Sequence, residues 1–481
     1  MSNDFGILSC GAYVPRLRLQ RKSIAISNSW FSPGLRGLAR GERAMANWDE
    51  DVITMAVEAA RSCLQGRKRS GVGQLTFAST TFPFDDRQNA GVVANALNLK
   101  SSLAVLDASG SQRAGASALS AAFGSSAGSD FLVVASEKRQ AKAASPQEMH
   151  YGDGAAAILV GRGQPIARLI GSHSETVDFV DHFRGRGADY DYGWEERWIR
   201  EEGYQKIVPR AIGTALKSAE VSPESITHFC MPCTLSRVGA AVAKAAGIKE
   251  EAVRDNLAAV CGDTGTAHSL LMLAHALEDA KPGDRILVAA FGQGCEVLLF
   301  EVTDAISEAA ARKCVSATLA RRKEESNYQK FLAFNDTVVL EHGMRSEMDK
   351  ITTLTSLYRN RDTVMGMVGG RCRCCGTRQF PRGRYCVNPE CNALDSQDDL
   401  PFSDTPATVM TYTADSLTYS RNPPHYYGMV RFEGGGRLVM DFADVDEGRM
   451  EVGLPMRMMF RVKDYDHARG FVRYFWKAAP I

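Results

Sequence analysis

The sequence predicts an α/β protein in which helices cover parallel sheets, followed by a cysteine-rich module and a small β-barrel. Three observations support this prediction. Apolar strands alternate with small-residue helices from Phe5 to Val302, the pattern of parallel strands covered on both faces. Five of the twelve cysteines fall between Cys372 and Cys391. After Ala407 the chain forms short runs with an apolar period near two, separated by glycine-rich turns, which is typical of a small barrel.

Length and composition limit the possible classes of protein. A chain of 481 residues is long enough for two or three domains. Its net charge of +1 gives no reason to expect nucleic acid or an anionic membrane as a partner. No apolar run approaches the roughly 20 residues of a membrane helix, and residues 1–11 lack a signal-peptide pattern. We therefore expect a cytoplasmic protein without a membrane or nucleic-acid partner.

Two stretches define helices in the first part of the chain. Asp49–Leu64 begins with acidic residues suited to a helix N-terminus and continues as an amphipathic helix. Val105–Leu119 (VLDASGSQRAGASAL) predicts a strand, a tight turn at Gly110 and a helix of small residues. Such a bend pushes one side chain into a pocket at the positive end of a helix dipole. The side chains at the bend are Ser111, Gln112 and Arg113.

The α/β region is predicted to be an internal duplication. Its two halves end alike, with GDGAAAILV from Gly152 and GQGCEVLLF from Gly292. Neither glycine turn is followed by the strand-to-helix arrangement of a dinucleotide site, so a Rossmann interpretation is rejected. Between the halves, Asp178–Tyr204 is charged, aromatic and irregular. It is predicted to be a loop or cap over a site, or a partner surface.

The cysteine cluster is the most specific motif in the sequence. Cys372 and Cys375 have the CxxC spacing, and Cys386 and Cys391 form a second pair. Four thiolates in two pairs suit a tetrahedral, structural zinc ion. Cys374 is the fifth cysteine and is not expected to bind the metal, because the two residues between Cys372 and Cys375 make the better metal-binding turn.

Several stretches resemble the thiolase superfamily, in the branch of 3-ketoacyl-ACP synthase III and 3-hydroxy-3-methylglutaryl-CoA synthase. The matching text is ILSCGAYVPRLRL, NWDEDVITMAVEAAR, VVASEKR, YGDGAAAILVG, CGDTGTAHS and AFGQGCEVLLF. The chain from Val364 resembles the zinc-ribbon and OB-fold domain that accompanies acyl-CoA thiolases and aldolases. Its matching text is GGRCRCCGTRQFP, ATVMTYTA and NPPHYYGMVRFEGGGRLVMDFADV.

The resemblance implies a fold and a domain division. A duplicated five-layered thiolase fold would occupy residues 1–304 and a helical linker residues 305–363. A zinc ribbon would occupy residues 364–400 and an OB-fold barrel residues 401–481. The family further implies a homodimer, a CoA or acyl-carrier thioester as substrate, and a structural zinc ion.

The family's catalytic residues are replaced in this sequence. Members hold an acyl group on a cysteine at the strand-to-helix bend, while a histidine and an asparagine polarise a thioester carbonyl. Those positions fall on Gln112, Cys233 and Asp263. Near Ser79–Thr81, where some members carry an acid–base glutamate, the sequence has only serine and threonine. Shifting the alignment cannot supply the nucleophile, because no cysteine lies between Cys63 and Cys230.

Two of the nine histidines are candidates for proton transfer. They are His182, in the irregular segment, and His268, just after the CGDTGTA turn. A lone histidine is more often a hydrogen-bonded structural residue than a catalyst. With Gln112, Cys233 and Asp263, these side chains complete the predicted set of site residues.

These replacements favour an aldolase-type enzyme that cleaves or forms a carbon–carbon bond in an acyl-CoA thioester without an acyl-enzyme. Three alternatives stay open: a decarboxylase in which the Gln112 amide stabilises the enolate, a non-catalytic acyl-CoA-binding partner of a thiolase, and a condensing acyltransferase.

Overall fold

The computed structural model describes residues 4–125, 128–309, 313–348 and 350–481. The chain divides into two compact units. The first takes in Met1–Asn47, Met55–Gly91 and Lys100–Asn335, and the second Trp48–Thr54, Val92–Leu99 and Asp336–Ile481. The range expected to be a linker, 305–363, is thus divided between the units. Among the described residues, no helix has the length and apolar character that crossing a membrane requires.

Strands and helices alternate along the chain from Phe5 to Phe334. The strands are β1 Phe5–Tyr13, β2 Leu17–Gln20, β3 Glu42–Met45, β4 Val72–Ala78, β5 Ala104–Ala108, β6 Asp130–Glu137, β7 Gly154–Arg162, β8 Ala167–Thr176, β9 His182–Phe183, β10 Tyr192–Gly193, β11 His228–Cys230, β12 Arg285–Phe291, β13 Gly294–Val302 and β14 Lys323–Glu325. The helices are α1 Arg21–Ser27, α2 Val52–Cys63, α3 Asn89–Ala96, α4 Ala114–Gly124, α5 Pro146–His150, α6 Glu196–Trp198, α7 Val208–Ser218, α8 Val238–Ala245, α9 His268–Asp279, α10 Ile306–Ala309, α11 Cys314–Ala320 and α12 Tyr328–Phe334.

The main sheet consists of two similar halves. Within the described residues it has nine strands, in the order β11-β12-β13-β8-β1-β7-β6-β4-β5. The halves meet at one pair of residues, Ile7 on β1 and Ala167 on β8. From that seam outward, each half shows two antiparallel pairings followed by a parallel one. This shared order supports the predicted duplication.

The expectation of parallel sheets is only partly right, because the sheet is mixed. The strands β4, β5 and β6 pair in parallel, as do β11 and β12. The strands β12 and β13, in contrast, are joined by the two residues Gly292 and Gln293 and pair antiparallel. A two-residue connection cannot make the long crossover that parallel pairing needs.

Helices and half-sheets are stacked in five layers. Helices α4 and α9 form the middle layer, since each contacts strands of both halves. Strand β12 shows why the second half-sheet is apolar on both faces. Its residues Ile286, Val288 and Ala290 belong to the core cluster around α4 and α9, whereas Leu287 and Ala289 belong to the cluster around α7 and α8. On the first half-sheet, Gly11 of β1 lies against α2, where a Cβ would come within 2.3 Å of the Ala59 carbonyl oxygen.

The second unit contains a small three-stranded sheet and a closed barrel. Its elements are α13 Leu354–Arg359, α14 Arg361–Val364, β15 Val368–Cys372, β16 Arg378–Gln379, β17 Gln397–Pro401, β18 Ala407–Asp415, β19 His425–Phe432, β20 Arg437–Asp441, β21 Pro455–Asp466 and β22 Phe471–Pro480. The small sheet has the order β16-β15-β17, and the barrel strands run β20-β19-β18-β21-β22. A hydrogen bond of 2.8 Å from Ala443 N to Ala478 O closes the barrel. The predicted small barrel is therefore confirmed.

The acidic residues before α2 have a second role that the sequence did not reveal. Asp51 accepts a hydrogen bond of 2.9 Å from the amide of Thr54, as expected at a helix N-terminus. In the second unit, however, the fully buried Arg461 lies 2.7 Å from Glu50. Lys477 lies 2.8 Å from Asp49. Both carboxylates therefore form ion pairs with barrel residues that lie more than 400 positions away along the chain.

Candidate active site

A cavity of about 310 Å³ lies in the first unit. Four of the predicted site residues, Gln112, His182, Cys233 and Asp263, line it together. Its volume falls within the roughly 300–1,000 Å³ range of small-molecule pockets. The cavity is therefore the candidate active site.

Parallel pairing explains why residues far apart in sequence meet at this cavity. The strands β5, β4 and β6 are adjacent and parallel, so their carboxyl ends lie at one edge of the sheet. Thr80 follows β4, Gln112 follows β5, and Glu137 ends β6. At the bend after β5, Gly110 has a φ of +93°, a conformation that favours glycine. The predicted strand, turn and helix at Val105–Leu119 are therefore confirmed.

Glu137 is the centre of a hydrogen-bond network that the sequence did not indicate. Its side chain is buried and accepts hydrogen bonds from the Ser79 hydroxyl at 3.2 Å and the Thr81 hydroxyl. The Thr80 hydroxyl donates to Glu137 Oε2 at 3.1 Å, and the Thr266 amide donates to the same oxygen at 3.4 Å. Glu137 thus fixes the loop of Ser79, Thr80 and Thr81 at the end of β4.

The same network sets the orientation of the Gln112 amide. The single hydroxyl proton of Thr80 goes to the Glu137 carboxylate, so the Thr80 oxygen accepts from Gln112 Nε2, 3.4 Å away. Gln112 Oε1 is buried and has no hydrogen-bond partner among the described residues. It lies against Gly265, whose φ is +56° and where a Cβ would come within 2.6 Å of that oxygen. The side chain can therefore offer only its remaining N–H to the cavity.

Arg139, which is buried, and Asp263, which is partly exposed, form an ion pair on the cavity wall. Their Nη2 and Oδ2 atoms are 2.7 Å apart. The Arg139 guanidinium also lies 3.7 Å above the Tyr151 ring and 3.7 Å from Asp191. Burial alone would disfavour both charges, yet each ion stabilises the other. The pKa of Asp263 is consequently lowered below its ordinary value, and the pKa of Arg139 is raised.

Cys233 is a neutral thiol in this site. Burial raises its pKa to about 12, although hydrogen bonds with the Leu235 backbone and, after it, with Tyr204 act in the opposite direction. Burial also raises the pKa of the Tyr204 hydroxyl, with the nearby Cys233 sulfur as the next cause. Because a thiolate is the nucleophilic form of cysteine, Cys233 is not activated for attack on a thioester.

The two predicted histidines have different surroundings. His182 lines the cavity, and its Nδ1 is 3.0 Å from Asp181 Oδ2. His268 does not belong to the cavity lining. Its Nδ1 accepts from the Thr264 amide at 2.9 Å, and its Nε2 donates to the Asn256 carbonyl at 2.6 Å. His268 therefore supports the turn that carries Asp263.

A second histidine that lines the cavity was not predicted from the sequence. His150, at the end of α5, lines the cavity. Burial, and after it the charge of Arg21, lowers its pKa. The only sequence signal for His150 was its place immediately before the YGDG turn. Its carbonyl oxygen accepts a backbone hydrogen bond of 2.7 Å from the Asp263 amide.

The irregular segment Asp178–Tyr204 supplies one wall of the cavity. It contains the short strands β9 and β10, helix α6 and most of the π-helical turns Ile199–Ile207. Within it, Arg184 pairs with Asp191 at 2.9 Å and also donates to the Thr80 carbonyl. Tyr151 donates its hydroxyl proton to Asp191 at 2.9 Å. We call this segment the cap.

The predicted metal ligands come together in the second unit. The sulfur atoms of Cys372, Cys375, Cys386 and Cys391 all lie within 4.8 Å of one another. Cys372 and Cys391 are 3.9 Å apart, and Cys375 and Cys386 are 3.5 Å apart. Tetrahedral zinc with Zn–S bonds of about 2.3 Å requires sulfur separations of about 3.8 Å. The four cysteines therefore fit zinc, and we call them the cysteine quartet.

Two family models match the chain. Residues 216–299 match the C-terminal model of 3-oxoacyl-(acyl-carrier-protein) synthase III. Residues 401–461 match the model of the C-terminal OB-fold domain of ChsH2. Together with the closed barrel, the second match confirms the predicted OB-fold.

The first unit also has similar relatives and solved structures. A hydroxymethylglutaryl-CoA synthase from Aeropyrum pernix is 31% identical over 313 residues, which cover 63% of this chain and 86% of the relative. The structure of MvaS with 3-hydroxy-3-methylglutaryl coenzyme A aligns with a TM-score of 0.59 and 19% identity, covering 70% of this chain and 92% of that one. The 3-oxoacyl-(acyl-carrier-protein) synthase III of Aquifex aeolicus VF5 aligns with a TM-score of 0.53 and 21% identity, covering 62% and 99%. These alignments confirm the predicted thiolase-like fold.

Proposed function

The chain belongs to the thiolase superfamily, in the branch of the hydroxymethylglutaryl-CoA synthases, and on that premise we propose that it cleaves or forms a carbon–carbon bond in an acyl-CoA thioester without a cysteine acyl-enzyme. The reaction would be of the aldolase type. The relatives' name supports a CoA thioester as the substrate class.

The observation that carries the proposal is Gln112 at the strand-to-helix bend. An amide cannot attack a thioester carbonyl, but its N–H can stabilise negative charge on an oxygen. The cavity thiol Cys233 does not replace the missing nucleophile, because burial raises its pKa to about 12. A mechanism that needs charge stabilisation but no covalent intermediate accounts for both residues.

In the cleavage direction, we propose that His182 removes the proton of the substrate's β-hydroxyl. The bond between the α and β carbons then breaks, and its electron pair becomes the enolate of the shortened acyl thioester. Gln112 donates its N–H to the enolate oxygen. The released carbonyl compound leaves, and the proton returns to the α carbon, so that atoms and charge balance. Asp181 would hold the His182 ring, and His268 would hold the turn of Asp263.

Asp263 and Cys233 would shape the site rather than transfer the proton. The pKa of Asp263 is lowered because, against the effect of burial, Arg139 stabilises its charge, which makes it a weak base. Cys233, whose S–H points to the Leu235 carbonyl 3.9 Å away, would pack against the substrate as a small neutral side chain. The cysteine quartet would hold a structural zinc ion whose role is to stabilise the second unit.

The proposal is tested with purified protein and a set of β-hydroxyacyl-CoAs, monitoring the shortened acyl-CoA and the released aldehyde or ketone. Gln112→Ala should lower turnover by about 10²–10³-fold, the usual cost of losing one oxyanion donor. Ser111→Ala is the matched control, because its hydroxyl donates to the Gly292 carbonyl at 2.9 Å and does not line the cavity.

Either of two results would contradict the proposal. One is an acyl-enzyme on any cysteine, detected by mass spectrometry after acid quench. The other is the absence of cleavage and of the reverse addition with every substrate offered.

Decarboxylation is the second candidate function. Loss of carbon dioxide from a malonyl thioester also leaves an enolate, which the remaining N–H of Gln112 could stabilise. It predicts carbon dioxide release from malonyl-CoA that Gln112→Ala abolishes. Cleavage of a β-hydroxyacyl-CoA without action on malonyl-CoA would decide for the aldolase reaction.

A further inference from the structure

The charges around the cavity are predominantly negative. Among the described residues that line it, Arg139 is the single permanent cation, whereas three carboxylates contribute, on Asp181, Glu196 and Asp263. Glu196 is largely exposed and pairs with Arg200 on the cap. Asp181 has His182 as its partner, at 3.0 Å. The carboxylates in the lining therefore outnumber its permanent cation, which disfavours a negatively charged acyl group in the cavity.

Arg139 is not available to bind a carboxylate of the substrate. Its side chain is 4% exposed, and its Nη2 is committed to Asp263 at 2.7 Å. The second amino group faces Asp191, and the guanidinium plane covers Tyr151. Recruiting Arg139 to a ligand would leave Asp263 without its cationic partner, and Asp191 would keep only Arg184. An unpaired charge in such a poorly solvated site is strongly destabilising.

The remaining wall of the cavity is apolar and largely aromatic. Phe291 and Tyr204 pack with ring centroids 4.4 Å apart, and Leu235 and Ile199 lie beside them in the lining. Trp194, on the cap, also lines the cavity although its side chain is 58% exposed. An indole that borders a cavity with half of its surface uncovered is a ready contact for an apolar ligand.

Trp194 is the first of three aromatic side chains in a row on the cap. Its ring centroid is 6.4 Å from that of Tyr192, which is 5.5 Å from that of Phe183. Tyr192 and Phe183 are also more than half exposed. Exposed apolar surface of this kind, continuous with a pocket, marks a binding surface.

From these charges and contacts we infer that the acyl group of the substrate is uncharged and apolar, and that it runs from the cavity along the row Trp194, Tyr192 and Phe183. This inference rests on the proposed function, because it names the acyl part of the same thioester. It excludes short dicarboxylic acyl groups such as hydroxymethylglutaryl and malonyl from the preferred substrates. It consequently favours the aldolase reaction over malonyl decarboxylation.

Binding measurements test the inference without requiring any chemistry. We compare octanoyl-CoA, suberyl-CoA and free CoA by isothermal titration calorimetry with the full-length protein. The two thioesters have eight-carbon acyl chains and differ at the far end, where suberyl-CoA carries a carboxylate. We expect octanoyl-CoA to bind at least tenfold more tightly than suberyl-CoA and more tightly than free CoA.

Two variants test whether Trp194 and Asp181 cause the expected difference in affinity. Trp194→Ala should weaken octanoyl-CoA binding about fivefold to tenfold, on the scale of a lost aromatic contact, while leaving free CoA unchanged. Asp181→Asn should strengthen suberyl-CoA binding and so reduce the difference in affinity between suberyl-CoA and octanoyl-CoA. Tyr412→Ala, an exposed aromatic residue of the second unit, is the control and should change neither value.

Equal or tighter binding of suberyl-CoA by the wild-type protein would overturn the inference, as would octanoyl-CoA binding no better than free CoA. Both results come from the wild-type protein and do not depend on how a variant folds. Failure of the proposed function would appear differently, as octanoyl-CoA binding with the expected preference but no product from any β-hydroxyacyl-CoA.

Discussion

Cysteine occurs in two contrasting environments in this molecule. In the cysteine quartet, four sulfur atoms lie within 4.8 Å of one another and fit a tetrahedral metal. In the cavity of the first unit, Cys233 is a single thiol whose neighbours are the Tyr204 hydroxyl and the Leu235 carbonyl. The cysteine side chains of the quartet are thus arranged to ligate a metal ion together, whereas Cys233 in the cavity stays protonated.

The neighbours of a thiol decide whether it is ionised and reactive. A thiolate needs a metal, a cation or a helix N-terminus to be stable near neutral pH. The quartet can obtain a metal. The helix N-terminus that would activate a thiol in the first unit belongs to α4, and there the chain presents Gln112 instead of cysteine.

The largest expected effect is on the quartet. Because apparent binding energies of structural zinc are about 10–16 kcal/mol in small metal-binding modules, Cys375→Ser should abolish zinc binding and unfold the zinc-binding part of the second unit. Metal analysis of the purified protein and thermal unfolding followed by circular dichroism measure both effects. The neighbouring exposed thiol in Cys374→Ser is the control. Equal loss of zinc in both variants would contradict the assignment of the four ligands.

A thiol placed at the bend should become reactive. In Gln112→Cys the new side chain lies at the N-terminus of α4, where the helix dipole lowers the pKa of a thiol. We expect alkylation by iodoacetamide at neutral pH to be about 10²-fold faster at position 112 than at Cys233. Ser125→Cys, at the opposite end of the same helix, is the control and should titrate near or above the ordinary thiol pKa. A slower reaction at position 112 than at 125 would contradict the argument.

The smallest expected effect is at Cys233. With a pKa of about 12, only about one thiol in ten thousand is ionised at pH 8. Alkylation of Cys233, followed by peptide mapping, should therefore stay slow through neutral pH and rise only as the pH approaches 12. Cys233→Ser should change kcat/KM by less than about threefold, because the proposed reaction does not use a thiolate. A large loss of activity, or rapid labelling near pH 8, would return Cys233 to a catalytic role.

Local patterns in the sequence were enough to predict several features. The bend at Val105–Leu119, the spacing of the quartet and the period-two strands after Ala407 all depend on neighbouring residues. For the same reason, the position of Gln112 could be predicted before any contact was known. Cys233, Asp263 and His182 reach the cavity as well, although their roles stay predictions.

Contacts between distant elements could not be predicted in this way. Glu137 and Arg139 were visible only as the end of an apolar strand, because their importance arises where the carboxyl ends of parallel strands meet. His268 was placed near the site by its position in the sequence, yet its ring faces the Asn256 carbonyl and the Thr264 amide. Asp49 and Glu50 likewise looked like helix-end acids until the barrel supplied their cationic partners.

Arg184 links the position of the cap to the orientation of the Gln112 amide. One guanidinium binds both Asp191 within the cap and the carbonyl of Thr80, whose hydroxyl orients Gln112. Moving the cap to admit a substrate would therefore also release the loop that aims the amide. We expect the site to be idle while it is open and competent only once the cap has returned. An acyl group too bulky to let the cap return would be released unchanged, so closure would act as a check on size before any bond is broken.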